Sequence, residues 1–134
     1  MNYLEPSFTP AQIGQISILA LAHVGDGVYE LLVRTYLLSC DHTASLDLHR
    51  LTVQSVNAGA QAKGYARIAT LLTEEEAAVF RRGRNAKVNQ VPHHATSADY
   101  HTATGLEALF GWLYLSGNQA RINELFEIMM EERK

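Results

Sequence analysis

Apolar residues recur every three to four positions along most of this chain, which is the period of an amphipathic α-helix. Thr9-Pro10 marks a first helix start, because threonine is a good N-cap and proline suits the first helical position. The helical pattern then runs toward Leu38. A polar connector follows, and a further helix is expected from about Ser45 to Leu72, with a break near Gly59 or Gly64 left open.

The second half of the chain shows sharper helix boundaries. Thr73 and Glu76 form a capping box, so a helix starts there and is expected to end near Gly83 or Arg84. Residues 85–96 show no apolar period and are expected to form a loop. A strong helical pattern covers about 98–115, and Gly117-Asn118 separates it from a last helix with an apolar face, which consists of Ile122, Leu125, Phe126, Met129 and Met130. The pattern predicts an all-α fold.

Composition narrows the class of protein. The 134 residues, of which 47% are hydrophobic, fit a single domain with a real core, and we assign residues 1–134 to it. No stretch is apolar enough to span a bilayer, and the N-terminus lacks the features of a signal peptide. The single cysteine, Cys40, excludes an intrachain disulfide and fits a cytoplasmic protein. The net charge of −3 argues mildly against a nonspecific nucleic-acid binder.

Two acidic residues stand out because each lies in an apolar helical run. Asp26 follows Gly25 and precedes Gly27, and Glu107 lies in the run from Leu106 to Leu115. Small residues flank both acids, so two crossing helices could approach closely and bring them to one cation. Carboxylate ligands without cysteine favour magnesium, with manganese as a substitute. Such an ion activates water and neutralises phosphoryl charge, which is the chemistry of phosphodiester hydrolysis.

A plain structural interpretation of the two acids stays open at this stage. Asp26 would cap a helix that restarts after a break at Gly25, and Glu107 would pair with an arginine, since buried acids are often ion-paired. Gly14, Gly25 and Gly27 are poor helix formers, and we expect them to allow the close packing of a neighbouring helix.

The segment Gly25-Asp26-Gly27-Val28 resembles the Gly-Asp-Ala-Val core of the ribonuclease III catalytic domain. The run from Glu107 to Leu115 is similar to the second acidic helix of that domain. The nearer resemblance is to the short bacterial branch, the mini-ribonucleases III, which lack a double-stranded-RNA-binding domain. Three further stretches carry it: residues 20–26, Asp47-Leu48-His49-Arg50, and Arg82-Gly83-Arg84-Asn85-Ala86-Lys87. The resemblance implies the helical ribonuclease III endonuclease fold and assigns Asp26 and Glu107 as catalytic metal ligands.

The chain departs from the full-length family at two acidic positions. Ala22 replaces a glutamate four residues before Asp26, and Thr104 replaces an acid three residues before Glu107. The mini branch shows similar reductions, so we expect a metal site whose coordination is completed by water. Thr104, which could hold such a water, and Glu30, which could reach the site or bind an arginine, are secondary candidates.

A basic cluster offers a surface for RNA. Residues 81–87 hold four cations, and Lys and Arg neutralise phosphates. The resemblance assigns RNA contact to Arg82, Arg84, Asn85, Lys87 and, in the following loop, His93. The alternative is a helix C-terminus whose cations favour the helix dipole. The sequence match makes His49 another secondary candidate, although we prefer to interpret it as a half-buried, hydrogen-bonded side chain.

The resemblance implies a metal-dependent endoribonuclease that cleaves double-stranded regions of structured RNA and leaves 5′-phosphate ends. It also implies a homodimer, cytoplasmic maturation of precursor 23S ribosomal RNA, and no membrane partner, and it leaves a ribosomal-protein partner open. The alternative is a noncatalytic helical module that binds RNA or the ribosome, which the absence of acids at Ala22 and Thr104 favours. A metal-dependent nucleotide hydrolase would need histidine ligands near an aspartate, and the only adjacent pair, Asp41-His42, lies in a connector.

Overall fold

The structure is a computed structural model that describes residues 1–40, 44–87 and 96–131. Within these ranges the chain forms α-helices and one 3-10 turn, Ala69–Leu71, and no strand. No helix in these ranges is long and apolar enough to cross a membrane. The helices are α1 (Pro10–Gly14), α2 (Ile18–Ser39), α3 (Ser45–Val56), α4 (Ala58–Ile68), α5 (Glu74–Arg84), α6 (Ser97–Leu115) and α7 (Gln119–Met130). The all-α fold class expected from the sequence is confirmed.

Helix α6 lies at the centre of the molecule and packs against α2, α4, α5 and α7. Leu106, Leu109 and Phe110 have no exposed surface, which explains why this helix is apolar on nearly every side. Tyr29 of α2 packs on Phe110, with ring centroids 6.0 Å apart, and its hydroxyl donates to Ser55 O at 3.3 Å. The central helix and α2 therefore share one core.

The first long helical pattern is interrupted once, which the sequence did not predict. Gln15 caps the end of α1, and the Ser17 hydroxyl accepts a hydrogen bond from Ala20 N at 3.1 Å to start α2. The helix start at Thr9-Pro10 is confirmed, and Gln12 completes a capping box there. The uninterrupted run toward Leu38 was wrong because Ser17 offers the backbone a side-chain partner that begins a new helix.

The second long pattern breaks at Asn57, two residues before Gly59, so of the two places left open by the sequence the one near Gly59 is confirmed. Asn57 has extended backbone angles (φ −70°, ψ 163°), and its side-chain oxygen accepts a hydrogen bond from Ala60 N at 2.9 Å. Asparagine is a strong N-cap, so α3 ends at Val56 and α4 starts at Ala58. The two glycines remain helical, and Gly64 lies against Met129 of α7.

The helix boundaries predicted for the second half are confirmed. Thr73 and Glu76 form the capping box of α5, and Glu76 also pairs with Arg121 at 2.8 Å, which ties α5 to α7. Arg84 ends α5. Gly117 has a φ of 79°, which glycine adopts without strain, and it reverses the chain between α6 and α7. All five members of the predicted apolar face of α7 are buried.

Candidate active site

The candidate site begins where α2 and α6 cross with their backbones almost in contact. A Cβ atom placed on Gly25 would lie 1.6 Å from Glu107 O, and one on Gly111 would lie 1.9 Å from Leu21 O. No residue other than glycine fits at either position without moving a backbone. The crossing therefore sets Asp26, the residue after Gly25, beside the turn of α6 that carries Glu107.

The glycines of the first half differ in what surrounds them. The expectation of close packing is confirmed for Gly25 and wrong for Gly14 and Gly27, where an added Cβ would meet no atom within 4 Å. Gly27 faces away from α6 because residues two apart on a helix do not share a face. In the Gly-Asp-Gly segment, Gly25 thus lies at the helix crossing, whereas Gly27 faces unoccupied space.

The carboxyl groups of Asp26 and Glu107 lie within hydrogen-bonding reach of each other. Burial of Glu107 and the negative charge of Asp26 together raise the pKa of Glu107 to about 8, and the Gln61 amide partly opposes this shift. Asp26 itself is exposed. No arginine in the described part of the chain pairs with Glu107, so its carboxyl group has an acid and an amide as neighbours.

Glu107 lines a cavity of about 610 Å³ between α4 and α6. Gln61 of α4 also lines this cavity, and its Nε2 donates to Glu107 Oε2 at 3.4 Å. Two further polar side chains of α6, Asp99 and Tyr100 from its first turn, also line the cavity. The cavity has room for water molecules beside the carboxylate.

The donor set at this site fits a hydrated divalent cation. Its charged members are two carboxylates, and no described group of three or more His, Cys, Asp and Glu side chains could hold a metal ion. Magnesium keeps several waters and binds proteins through one or two carboxylates, whereas structural zinc needs four closed ligands. A cation held by the two carboxylates would also offset the charge of Asp26, which adds to the effect of burial in raising the pKa of Glu107.

The positions that lack the acids of the full-length family are filled by the core. Ala22 and Thr104 are 6% and 5% exposed, and the Thr104 hydroxyl donates to Tyr100 O at 3.0 Å. Thr104 is not among the residues that line the cavity of Glu107. Glu30, one turn beyond Asp26, pairs with Arg34 at 3.5 Å, which is the alternative that the sequence offered for it.

The basic cluster lies on the neighbouring helix. Gly83 of α5 packs closely against α6 next to Glu107, since a Cβ on Gly83 would lie 2.7 Å from Ala108 Cβ. Four candidate RNA contacts around it, Arg82, Arg84, Asn85 and Lys87, are exposed. Arg84 also lies over the Phe80 ring, 5.7 Å from its centroid. His93 and most of the loop expected at 85–96 lie outside the described residues.

The structure does not bring His49 to the acids. Its side chain is exposed, so the expectation of a half-buried histidine was wrong. It lines a separate cavity of about 330 Å³ together with Arg34 and Thr52. Residues 45–50 of α3 are exposed or half-buried, His49 among them, whereas Thr52, one turn further along the helix, is buried.

Comparisons with known proteins decide the family. The Ribonuclease III domain family matches residues 19–118, which include both acids. The chain belongs to the ribonuclease III family. It is 39% identical over 129 residues to the Mini-ribonuclease 3 of Clostridium tetani, a match that covers 96% of this chain and 85% of that protein. It is 40% identical to that of a Thermoanaerobacter species, with 98% and 94% covered.

A solved structure supports the same conclusion for the fold. The crystal structure of a Fusobacterium nucleatum protein superposes with a TM-score of 0.82 at 32% sequence identity, and the match covers 90% of this chain and 92% of that one. The ribonuclease III fold and the endoribonuclease class expected from the sequence are therefore confirmed. A noncatalytic helical module is not supported.

Sequence reasoning missed the polar side chains that share the cavity with Glu107 in this ribonuclease III-family chain. Gln61, Asp99 and Tyr100 carry no motif of their own, and Gln61 is separated from Glu107 by 46 positions. A signal for Gln61 did exist, since a polar residue at an otherwise core-facing helix position needs a partner. The sequence offered no means of naming that partner.

The raised pKa of Glu107 predicts how the metal-free protein responds to pH. The folded state holds the Glu107 proton up to about pH 8, whereas the unfolded chain releases it near 4.5. Protonated Glu107 thus adds to the free energy of unfolding in full below pH 4.5, and this contribution is lost as the pH rises toward 8. The free energy of unfolding falls by up to ~1.4 kcal/mol per pH unit in this range. Urea unfolding in chelator at several pH values measures this slope.

The matched variant is Glu107→Gln, which keeps the shape of the side chain and cannot ionise. We expect its stability in chelator to depend less on pH than that of the unchanged protein, and to exceed it at pH 8. Equal pH dependence of the two proteins would show that Glu107 is not held protonated by its surroundings.

Proposed function

We propose that this chain is a metal-dependent endoribonuclease that cleaves double-stranded regions of RNA at the Asp26–Glu107 pair. The observation that supports this most is the proximity of two carboxyl groups at a helix crossing that only glycines allow, where burial of Glu107 and the charge of Asp26 raise the pKa of Glu107 to about 8. A protein gains no stability from such a pair, because two acids in a partly dry site repel each other. The arrangement is expected where a cation is to be held.

In this proposal Asp26 and Glu107 hold a magnesium ion, or manganese as a substitute, directly or through water. When bound, the cation lowers the pKa of a coordinated water and neutralises charge on the phosphodiester. Asp26 and Glu107 contribute by fixing the place of the ion. Gly25 and Gly111 allow the two helices to approach closely, and the cavity beside Glu107 leaves room for water. With alanine and threonine at positions 22 and 104, water completes the coordination shell.

We infer that the RNA duplex lies across the end of α5. Arg82, Arg84, Asn85 and Lys87 are exposed there, and Gly83 in the same segment packs against Ala108 of α6, the residue after Glu107. Their cations would neutralise phosphates of a strand that enters the site. His93, outside the described residues, is retained as a proposed contact from the sequence alone. The same cations also favour the C-terminal dipole of α5, and the two roles are compatible.

The remaining parts of the proposal concern the whole reaction. Residues 1–134 act as one catalytic domain, and two copies form a homodimer, because cleavage of both antiparallel strands needs two sites related by a two-fold axis. The products carry 5′-phosphate and 3′-hydroxyl ends. The substrate we propose is precursor 23S ribosomal RNA, processed in the cytoplasm, and a ribosomal protein could present it.

The test is a cleavage assay on an end-labelled RNA duplex and on its separated strands. With magnesium we expect cleavage of the duplex to fragments with 5′-phosphate ends, and little cleavage of the single strands. In chelator we expect activity to fall below detection and to return when magnesium is added in excess. Equal cleavage in chelator, or a preference for single strands, would contradict the proposal.

A further inference from the structure

Gln61 occupies an unusual place at the break between α3 and α4. Asn57 Oδ1 accepts a hydrogen bond from Ala60 N, which would otherwise be the helical partner of the Val56 carbonyl. The Gln61 side chain takes over this carbonyl, since its Nε2 donates to Val56 O at 2.9 Å. Gln61 is only 2% exposed, so its amide is held inside the protein.

The same nitrogen reaches the candidate active site. Its donation to Glu107 Oε2 at 3.4 Å uses the second hydrogen of the amide, so both hydrogens face acceptors. The opposite orientation of the amide would set its oxygen against the Val56 carbonyl and the Glu107 carboxyl group. The contacts therefore determine which way the amide points.

The other half of the amide has no partner. Gln61 Oε1 is buried and accepts no hydrogen bond in the described part of the chain. A buried acceptor without a donor costs on the order of 1–3 kcal/mol, and an apolar side chain of similar length would avoid that cost. An apolar side chain would also leave the Val56 carbonyl without its donor, so this bond is one reason for a glutamine at this position, and the contact with Glu107 is a second.

We propose that Gln61 is a positioning residue, which anchors its Nε2 on Val56 O and thereby holds the Glu107 carboxylate in the orientation that binds the cation together with Asp26. This inference rests on the proposed function of the same site. A carboxylate that is free to rotate would bind a cation more weakly, and hydrogen-bond partners of metal ligands typically change metal affinity or activity by about 10–100-fold.

The experiment compares Gln61→Met with the unchanged protein. Methionine keeps the length of the side chain and removes both hydrogen bonds. We expect the dissociation constant for Mn²⁺, measured on the RNA-free protein, to rise about 10–100-fold. We also expect kcat for duplex cleavage at a fixed magnesium concentration to fall by a similar factor, with KM for the duplex changed less than about threefold. Gln61→Asn, too short to reach both partners, is expected to behave in the same way and serves if Gln61→Met fails to fold.

Asn57→Ala is the matched control, because it removes a capping bond at the same helix break without touching Glu107. We expect it to lower stability by about 1 kcal/mol and to leave Mn²⁺ affinity within about threefold. Equal Mn²⁺ affinity in Gln61→Met and the unchanged protein, or equal losses in Gln61→Met and Asn57→Ala, would overturn the positioning role. Failure of the unchanged protein itself to bind Mn²⁺ and cleave RNA would instead overturn the proposed function.

Discussion

Replacing Asp26 with asparagine, or Glu107 with glutamine, is expected to reduce duplex cleavage by about 10³-fold or more. Each change keeps the size of the side chain and removes one of the two negative charges that the proposed cation needs. Metal ions supply several kcal/mol of charge stabilisation in such reactions, and ~1.4 kcal/mol corresponds to a tenfold change in rate. Single-turnover cleavage at saturating enzyme measures the effect on chemistry apart from RNA binding.

Binding of the duplex should survive these substitutions. We expect the dissociation constants of both variants for duplex RNA to stay close to that of the unchanged protein, because the proposed phosphate contacts lie at and beyond the end of α5 rather than at the two acids. Glu30→Gln is the matched control, since Glu30 lies one turn from Asp26 and pairs with Arg34. It should retain activity within a few-fold. Turnover at the normal rate by the Asp26 or the Glu107 variant would exclude the proposed site.

The double variant Arg82→Ala, Arg84→Ala should show the opposite behaviour. We expect weaker duplex binding and a smaller salt dependence, with the slope reduced by about 0.9 for each phosphate that is no longer neutralised, while cleavage of bound RNA continues. The pair of results separates the charges that hold the duplex from those that act on the scissile bond. An unchanged salt slope would place the RNA surface elsewhere on the protein.

Gly25→Ala is expected to destabilise the fold severely. The added Cβ would lie 1.6 Å from Glu107 O and 2.8 Å from Gly111 N, and both of these are backbone atoms that no rotamer change can move. Overpacking typically costs about 1–3 kcal/mol, and a backbone clash this short belongs at or above the upper end. Alanine would recover only about 1 kcal/mol through helix propensity. Urea unfolding measures the difference.

Gly27→Ala is the control in the same helix. No atom lies within 4 Å of its added Cβ, so this substitution should leave stability unchanged or raise it by up to about 1 kcal/mol. The two alanines therefore have opposite expected effects although the residues are two positions apart. A Gly25→Ala protein as stable as Gly27→Ala would show that α2 and α6 do not cross with their backbones in contact.

The sequence alone determined the features that depend on neighbours along the chain. The Thr73–Glu76 capping box and the end of α5 at Arg84 depend on residues close along the chain, and the turn at Gly117 depends on the backbone freedom of a single glycine. The two acids stood out for a related reason, because a charged residue in an apolar helical run is visible without any structure. The start of α2 was missed because Ser17 caps a new helix inside an apolar pattern.

Only the tertiary structure decided which residues meet. Local pattern did not separate Gly25, which lies at the crossing, from Gly27, which is open, because the difference depends on the path of α6. The contact of Gln61 with Glu107 and the raised pKa of Glu107 depend likewise on groups far apart in the chain. Desolvation and charge repulsion act through space, so a sequence can name the acids but their environment is set by how the helices pack.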